Sequence, residues 1–365
     1  MESKIYLSKE MFTEREKLIL ENGNIKVYAF LFSTGICGIK VENEKGYIVV
    51  LPYQGQQIWR ASFLEHDLVM RTAFDEPRDP ETYLSTYGGF LLHCGINAMG
   101  SPSKEDTHPQ HGEIPNAEYT TAYLLSGQDE KGKYVSVAGE YNRKIAFVQE
   151  YVFAPECRLY EDATVIEEKI NITNKRSKPM EYMYLCHINF RPEDGSELVY
   201  SAEYNKENVK VIKNVPDTLS AEEAEALKSY MDAIQEDITI HNRVSYKSQC
   251  YYPEICFIVN YKADADGYAH TMQYLPDGYA HYVAHPVAEL PVGVRWVSIG
   301  DDEKSMGMVL PATAEHFGYS YAKKHNRIKF IPGNSTLSFS VKTGLLLPDE
   351  AKNMKKMINK MMDRI

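Results

Sequence analysis

No window of this chain is apolar for long enough to cross a bilayer as a helix, which takes about 20 consecutive apolar residues. The opening segment MESKIYLSKEMFTEREK carries charges where a secretory signal needs an apolar stretch, so a cytoplasmic protein is expected. Cysteine is sparse: six residues, at 37, 94, 157, 186, 250 and 256, with no CxxC spacing. Reduced core thiols are expected, not a disulfide framework or a zinc site. Positive charge is in deficit, with 40 Lys and Arg against 51 Asp and Glu and a net charge of -11. No basic patch breaks that background; the nearest approach, Lys323 to Arg327, reads as a solvated loop. A nucleic-acid surface is thereby excluded, and no membrane partner is expected. Also missing are a Pro/Ser-rich linker, an internal repeat and any alternation of strands with helices. The last absence disfavours α/β folds with parallel sheets.

What is present is strand-like. Runs rich in Val, Ile, Tyr and Phe recur at roughly ten-residue spacing between turn residues, and 27 tyrosines fit antiparallel pairing. Examples are IKVYAFLF (25–32), GYIVVLPY (46–53), RKIAFVQEYVF (143–153), TVIEEKINITN (164–174), MEYMYLCHINF (180–190) and VRWVSIGD (294–301). Sheets this long remove their edges by closing or doubling, so an all-β, large antiparallel β-sandwich with a few peripheral helices is expected, as one domain over 1–365. An N-terminal extension covers about 1–24. Three stretches read as helical: 7–17 weakly; the segment from Ser220, with Ser at the N-cap and Glu223 completing a capping box; and a C-terminal helix over about 348–363. The last carries four methionines, a face that packs on the body or supports a homodimer.

The densest chemistry lies in HPQHGEIPN (108–116), a loop with two histidines, a Glu and an Asn between turn formers. His108, His111 and Glu113, with His93 upstream, are candidate metal ligands, although Pro109 and Gly112 rule out a helical HExxH arrangement. His187 ends a strand-like run, and Asn189 two positions on points the same way. Glu315 follows VLPATA. Two imidazoles and a carboxylate are suited to proton transfer near neutral pH. Arg60, Arg71, Arg78 and Arg191 are candidate anchors for ligand hydroxyls.

HGEIPN (111–116), HINF (187–190) and LPATAEHFGY (310–319), in that order on an all-β chain, resemble the aldose 1-epimerase (galactose mutarotase-like) superfamily, and most closely its branch of unknown function. GGFLLHCGINAMG (88–100) and GNSTLSFSVKTGL (333–345) extend the likeness over about residues 30 to 345. The resemblance implies a very large sandwich with a sugar site, needing no cofactor. It also implies His187 as acid, Glu315 as base and His111 in contact with the sugar, with Asn116, Asn189, Arg60 and Arg71 as substrate-binding candidates. Two departures stand out. Asn189 and Phe190 occupy swapped places relative to the family's Phe-Asn, and Leu310 precedes Pro311 where the family has its glutamate. The expected activity is interconversion of sugar anomers. A metal-dependent sugar isomerase and a non-catalytic carbohydrate-binding protein are the alternatives.

Overall fold

The computed structural model describes residues 2–364. Two antiparallel sheets face each other across the main core. The larger has 13 strands. It runs from Val209–Ile212 through Ile255–Val259, Val292–Ile299, Lys304–Ala312, Met180–Ile188, Leu91–Ile96, Ile58–Phe63, Gly46–Val50, Cys37–Asn43 and Ile25–Leu31 to Lys17–Asn22, with two short strands branching off. The smaller sheet has nine strands and is centred on Val165–Asn174 and Ser335–Leu346.

Period-2 alternation explains how each strand divides its side chains. In Met180–Ile188, Tyr182, Tyr184, Cys186 and Ile188 enter the core between the sheets. Met183 and Leu185 turn to the opposite face, where they join Val294, Leu310 and Ala312 in a separate cluster. The next outward position on that strand is His187. The same parity in Val292–Ile299 sends Val294 and Trp296 outward and buries Arg295 and Val297.

The helices follow local chemistry. Helix α1 (Ala221–Glu236) starts as its sequence demands: Ser220 Oγ accepts from the Glu223 N–H at 3.3 Å, and Glu223 accepts from the Ser220 N–H at 2.9 Å. Helix α2 (Gly318–Lys324) had no sequence expectation; its seven residues are too few to show a period, and Asp106 caps it from 214 positions away through Ser320. Lys323 and Lys324, expected in a loop, form its last turn. Helix α3 (Pro348–Met361) lays Met354, Met357, Met361 and Met362 with Ile358 against Met272, Tyr282 and Leu346, so its methionine face is covered by the chain's own sheet.

Two expectations are corrected. Residues 7–16 form no helix beyond a 3-10 turn, Lys9–Met11. Within the first 24 residues Ser3–Tyr6 pairs with Thr121–Asp129 and Lys17–Asn22 with Ile25–Leu31. RKIAFVQEYVF is two strands, reversing at Ala146–Val148 with Phe147 at φ 66° and 97% exposed. All six cysteines are free thiols.

Candidate active site

On the outward face of the larger sheet lies a cavity of about 670 Å³, within the size range of small-molecule sites. Its wall includes Leu185 and His187 from one strand, Val294 and Trp296 from another, and Cys256 from the strand beside it, with Glu254 just ahead of that strand. Loops add Tyr83, Tyr87, Gln110, His111, Asn214, His316 and Phe317. Three histidines and four aromatic rings therefore meet in one space.

His111 reaches it because its loop is bent hard and pinned. The residue adopts φ 61°, and Gly112 follows at φ 83°, where a Cβ would lie 2.2 Å from the Ala98 carbonyl oxygen and 2.3 Å from that of Gly95. Only glycine fits there. The Gly95 N–H donates to the His111 carbonyl and the His111 N–H to Gly100, both at 2.9 Å. Glu113 clamps the far side, accepting from Asn97 Nδ2 at 2.6 Å and from the Tyr151 hydroxyl at 2.5 Å. The His111 and His187 rings stand 5.2 Å apart, edge to face, and Tyr83 lies 4.8 Å from His111.

The network around His187 assigns its tautomer. Asn189 Nδ2 donates to the Gly89 carbonyl at 3.0 Å, which leaves Oδ1 as the acceptor. That oxygen takes the Tyr87 hydroxyl proton at 3.0 Å and faces His187 Nδ1 at 2.8 Å. His187 therefore carries its proton on Nδ1 and leaves Nε2 unprotonated, with the Tyr87 hydroxyl oxygen 3.3 Å from Nδ1 and 3.4 Å from Nε2. Burial pushes this imidazole down to about 4, with the Asn189 bond working against the shift and His316 adding to it. Burial also lowers His316 to about 4, opposed by Glu315. His111 is driven well below its ordinary value by burial first, then by His187, His316 and His108. All three rings are neutral at pH 7. The Nδ1 atoms of His111 and His316 and the Tyr83 hydroxyl are buried without a hydrogen-bond partner. Buried polar atoms rarely stay unpaired unless a ligand or water completes them.

Of the residues singled out in the sequence, His111 and His187 line the cavity together, and Asn189 stands directly behind His187. Glu315, expected as the base, does not line it: the strand Lys304–Ala312 ends three residues before it, and Glu315 turns to Arg327 at 3.1 Å while its neighbour His316 faces the cavity. Asn116 is held by Gln57 Nε2 at 2.8 Å and lies on a separate cleft. Arg60 donates to the backbone carbonyls of Trp59, Phe74, Asp75 and Gly88, a staple between segments. Arg71 is exposed and bridges to Lys304 through its backbone, and Arg191 pairs with Asp67 at 2.6 Å. No lysine or arginine lines the cavity.

The metal-ligand set does not converge. His93 is buried with its Nδ1 2.7 Å from the Tyr184 hydroxyl and its Nε2 3.4 Å from Glu168; His108 lies on the Pro109 carbonyl; Glu113 is bound to Asn97 and Tyr151. Among the described residues no three His, Cys, Asp or Glu side chains are placed to hold a metal ion. Sequence reasoning missed His316, Trp296, Tyr83, Tyr87 and Glu254. The parity that placed His187 would also have flagged Trp296; the others lie on loops or at a strand's start.

A family described as a domain of unknown function, DUF4432, matches residues 33–345. No curated protein sequence matches the chain. Among solved structures, a "putative aldose 1-epimerase" from Klebsiella pneumoniae is similar at 13% identity and a TM-score of 0.80, over 99% of this chain and 96% of that one. A galactose mutarotase-like protein from Clostridium acetobutylicum is similar at 13% identity and a TM-score of 0.58, over 89% and 99%. The aldose epimerase homologue of C. elegans is similar at 9% identity and a TM-score of 0.52, over 84% and 98%. At such identities the likeness establishes a galactose mutarotase-like fold.

Proposed function

The chain belongs to the DUF4432 family, and from the cavity of its mutarotase-like fold we propose that it binds a monosaccharide and interconverts the anomers by acid–base catalysis. One observation carries the reading: His111, His187 and His316, all neutral, converge on one aromatic-walled space, with His187 Nε2 unprotonated.

Anomer exchange moves one proton from the anomeric hydroxyl to the ring oxygen and back. His187 Nε2 accepts the hydroxyl proton. The imidazolium so formed is unusually acidic, because the same burial that holds the ring near 4 disfavours its charged form. It returns the proton to the ring oxygen as the bond from that oxygen to the anomeric carbon breaks and a carbonyl forms. Rotation and reclosure by the reverse transfers give the other anomer. Such transfer by a positioned group contributes about 10² to 10⁴ in rate. His111 and His316, on the same wall, meet sugar hydroxyls, and Trp296, Tyr87 and Phe317 offer faces to its C–H surface. Asn189 and Tyr87 are positioning residues.

Polarimetry on freshly dissolved aldoses tests this. Wild-type protein is expected to accelerate the change in rotation for at least one sugar, and His187→Ala to lose about 10²-fold or more of that acceleration. Acceleration that survives His187→Ala, or none for any aldose, sinks the assignment; sugar binding without turnover would leave a carbohydrate-binding protein.

A further inference from the structure

Charge on the cavity wall separates sugars that the fold alone does not, an inference resting on the sugar-binding reading above. The lining residues include one carboxylate, Glu254, and no lysine or arginine. The three histidines are held neutral by burial, so no side chain of the wall supplies positive charge at pH 7. The arginines expected as hydroxyl readers are engaged elsewhere, Arg60 on four carbonyls and Arg191 on Asp67. Glu254, just ahead of strand Ile255–Val259, accepts the Trp296 indole N–H at 2.6 Å, and that bond fixes a carboxylate beside an aromatic face of the cavity. Tyr87 stands 6.1 Å from the same indole. The chain's net charge of -11 adds to the local field.

We propose that Glu254 sets the charge selectivity of the site, rejecting phosphorylated or uronic sugars and favouring an aldose that carries an ammonium group over its neutral counterpart. A phosphate or carboxylate entering this space gives up hydration, finds no cation and meets a fixed negative charge. An ammonium meets the Glu254 carboxylate and the faces of Trp296 and Tyr87, the combination that cation recognition uses.

Calorimetric titration at a pH of about 6, where a sugar ammonium stays charged, tests this with matched series: glucose, glucosamine and glucose 6-phosphate, and their galacto counterparts. The amino sugar is expected to bind about two- to five-fold more tightly than the neutral one, as a pair with an exposed carboxylate allows, and the phosphate not measurably. In Glu254→Gln the ratio of amino to neutral affinity falls to near one, and in wild type it shrinks as salt is added. A phosphate bound as tightly as the neutral sugar, or an amino preference that persists in Glu254→Gln, overturns the proposal. Neutral binding without charge discrimination overturns it alone, whereas no heat from any sugar of either series overturns the sugar reading as well.

Discussion

Replacing Asn189 by Asp changes one atom of the side chain and reverses the electrostatics of His187. In the native site Asn189 Oδ1 receives the His187 Nδ1 proton at 2.8 Å and the Tyr87 hydroxyl at 3.0 Å, and burial holds the ring near 4. A carboxylate at that position keeps both of these bonds and adds a negative charge against Nδ1, but it loses the donor to the Gly89 carbonyl at 3.0 Å, which lowers stability and leaves the direction of the His187 shift unchanged. An opposite charge at such range raises an imidazole by about 1 to 3 units, or about 1.4 to 4 kcal/mol in favour of the imidazolium. The midpoint then moves from about 4 to roughly 5–7, and at pH 6 the ring passes from about 1% protonated to on the order of half. Since the base form of His187 starts the reaction, the acid limb of the rate profile moves to higher pH by the same 1 to 3 units. Polarimetry from about pH 4 to 8 on wild type and Asn189→Asp reads this directly. Asn189→Leu, which removes the acceptor without adding charge, is expected to lower the rate with no upward move of the limb. A limb that stays in place in Asn189→Asp refutes the tautomer assignment, whatever the variant's overall activity.

Three further outcomes follow from the same contacts. His187 and His316 near 4, and His281 and His285 near 3, lie below their ordinary value of 6.5, so their stabilising contribution is whole above about pH 6.5 and is lost as pH falls through 4. The unfolding free energy from urea titrations should drop between pH 7 and 4.5 by several kcal/mol, the four histidines supplying up to about 2.7 each and the burial-raised Glu113 and Glu168 offsetting part of this; a flat profile contradicts the burial argument. Glu315→Gln, which alters a group paired with Arg327 away from the cavity, should keep its polarimetric rate within about threefold, whereas loss of a general base costs about 10² or more. Gly112→Ala forces a Cβ onto the Ala98 and Gly95 carbonyls at positive φ; chemical denaturation should show a loss above about 1 kcal/mol, and sugar affinity should fall with it as His111 moves.

The strand MEYMYLCHINF and His187 at its end were legible; which face is core was not, because nearly every residue of the run is apolar, and the structure assigns Tyr184 and Cys186 inward and Leu185 and His187 outward. The Ser220 capping box and the Pro348 helix start were equally readable, being signals local to a few residues. Glu315 was named on the resemblance, not on parity; its strand stops at Ala312, and in the turn beyond it His316 lines the cavity. The hairpin at Phe147 escaped because Ala146–Val148 contains no Gly, Pro or Asn to mark a reversal. Arg60 looked like a ligand anchor, yet its four partners are carbonyls supplied by three segments, which spacing along the chain does not reveal.

The most direct measurement is the imidazole ¹⁵N spectrum of the histidines at pH 7, recorded alone and during titration with the aldose that polarimetry selects. The account predicts a neutral His187 protonated on Nδ1 with unprotonated Nε2, neutral His111 and His316, and a shift of the His187 Nε2 resonance as the sugar binds. An imidazolium at His187, a proton on Nε2, or a spectrum indifferent to every aldose would contradict it.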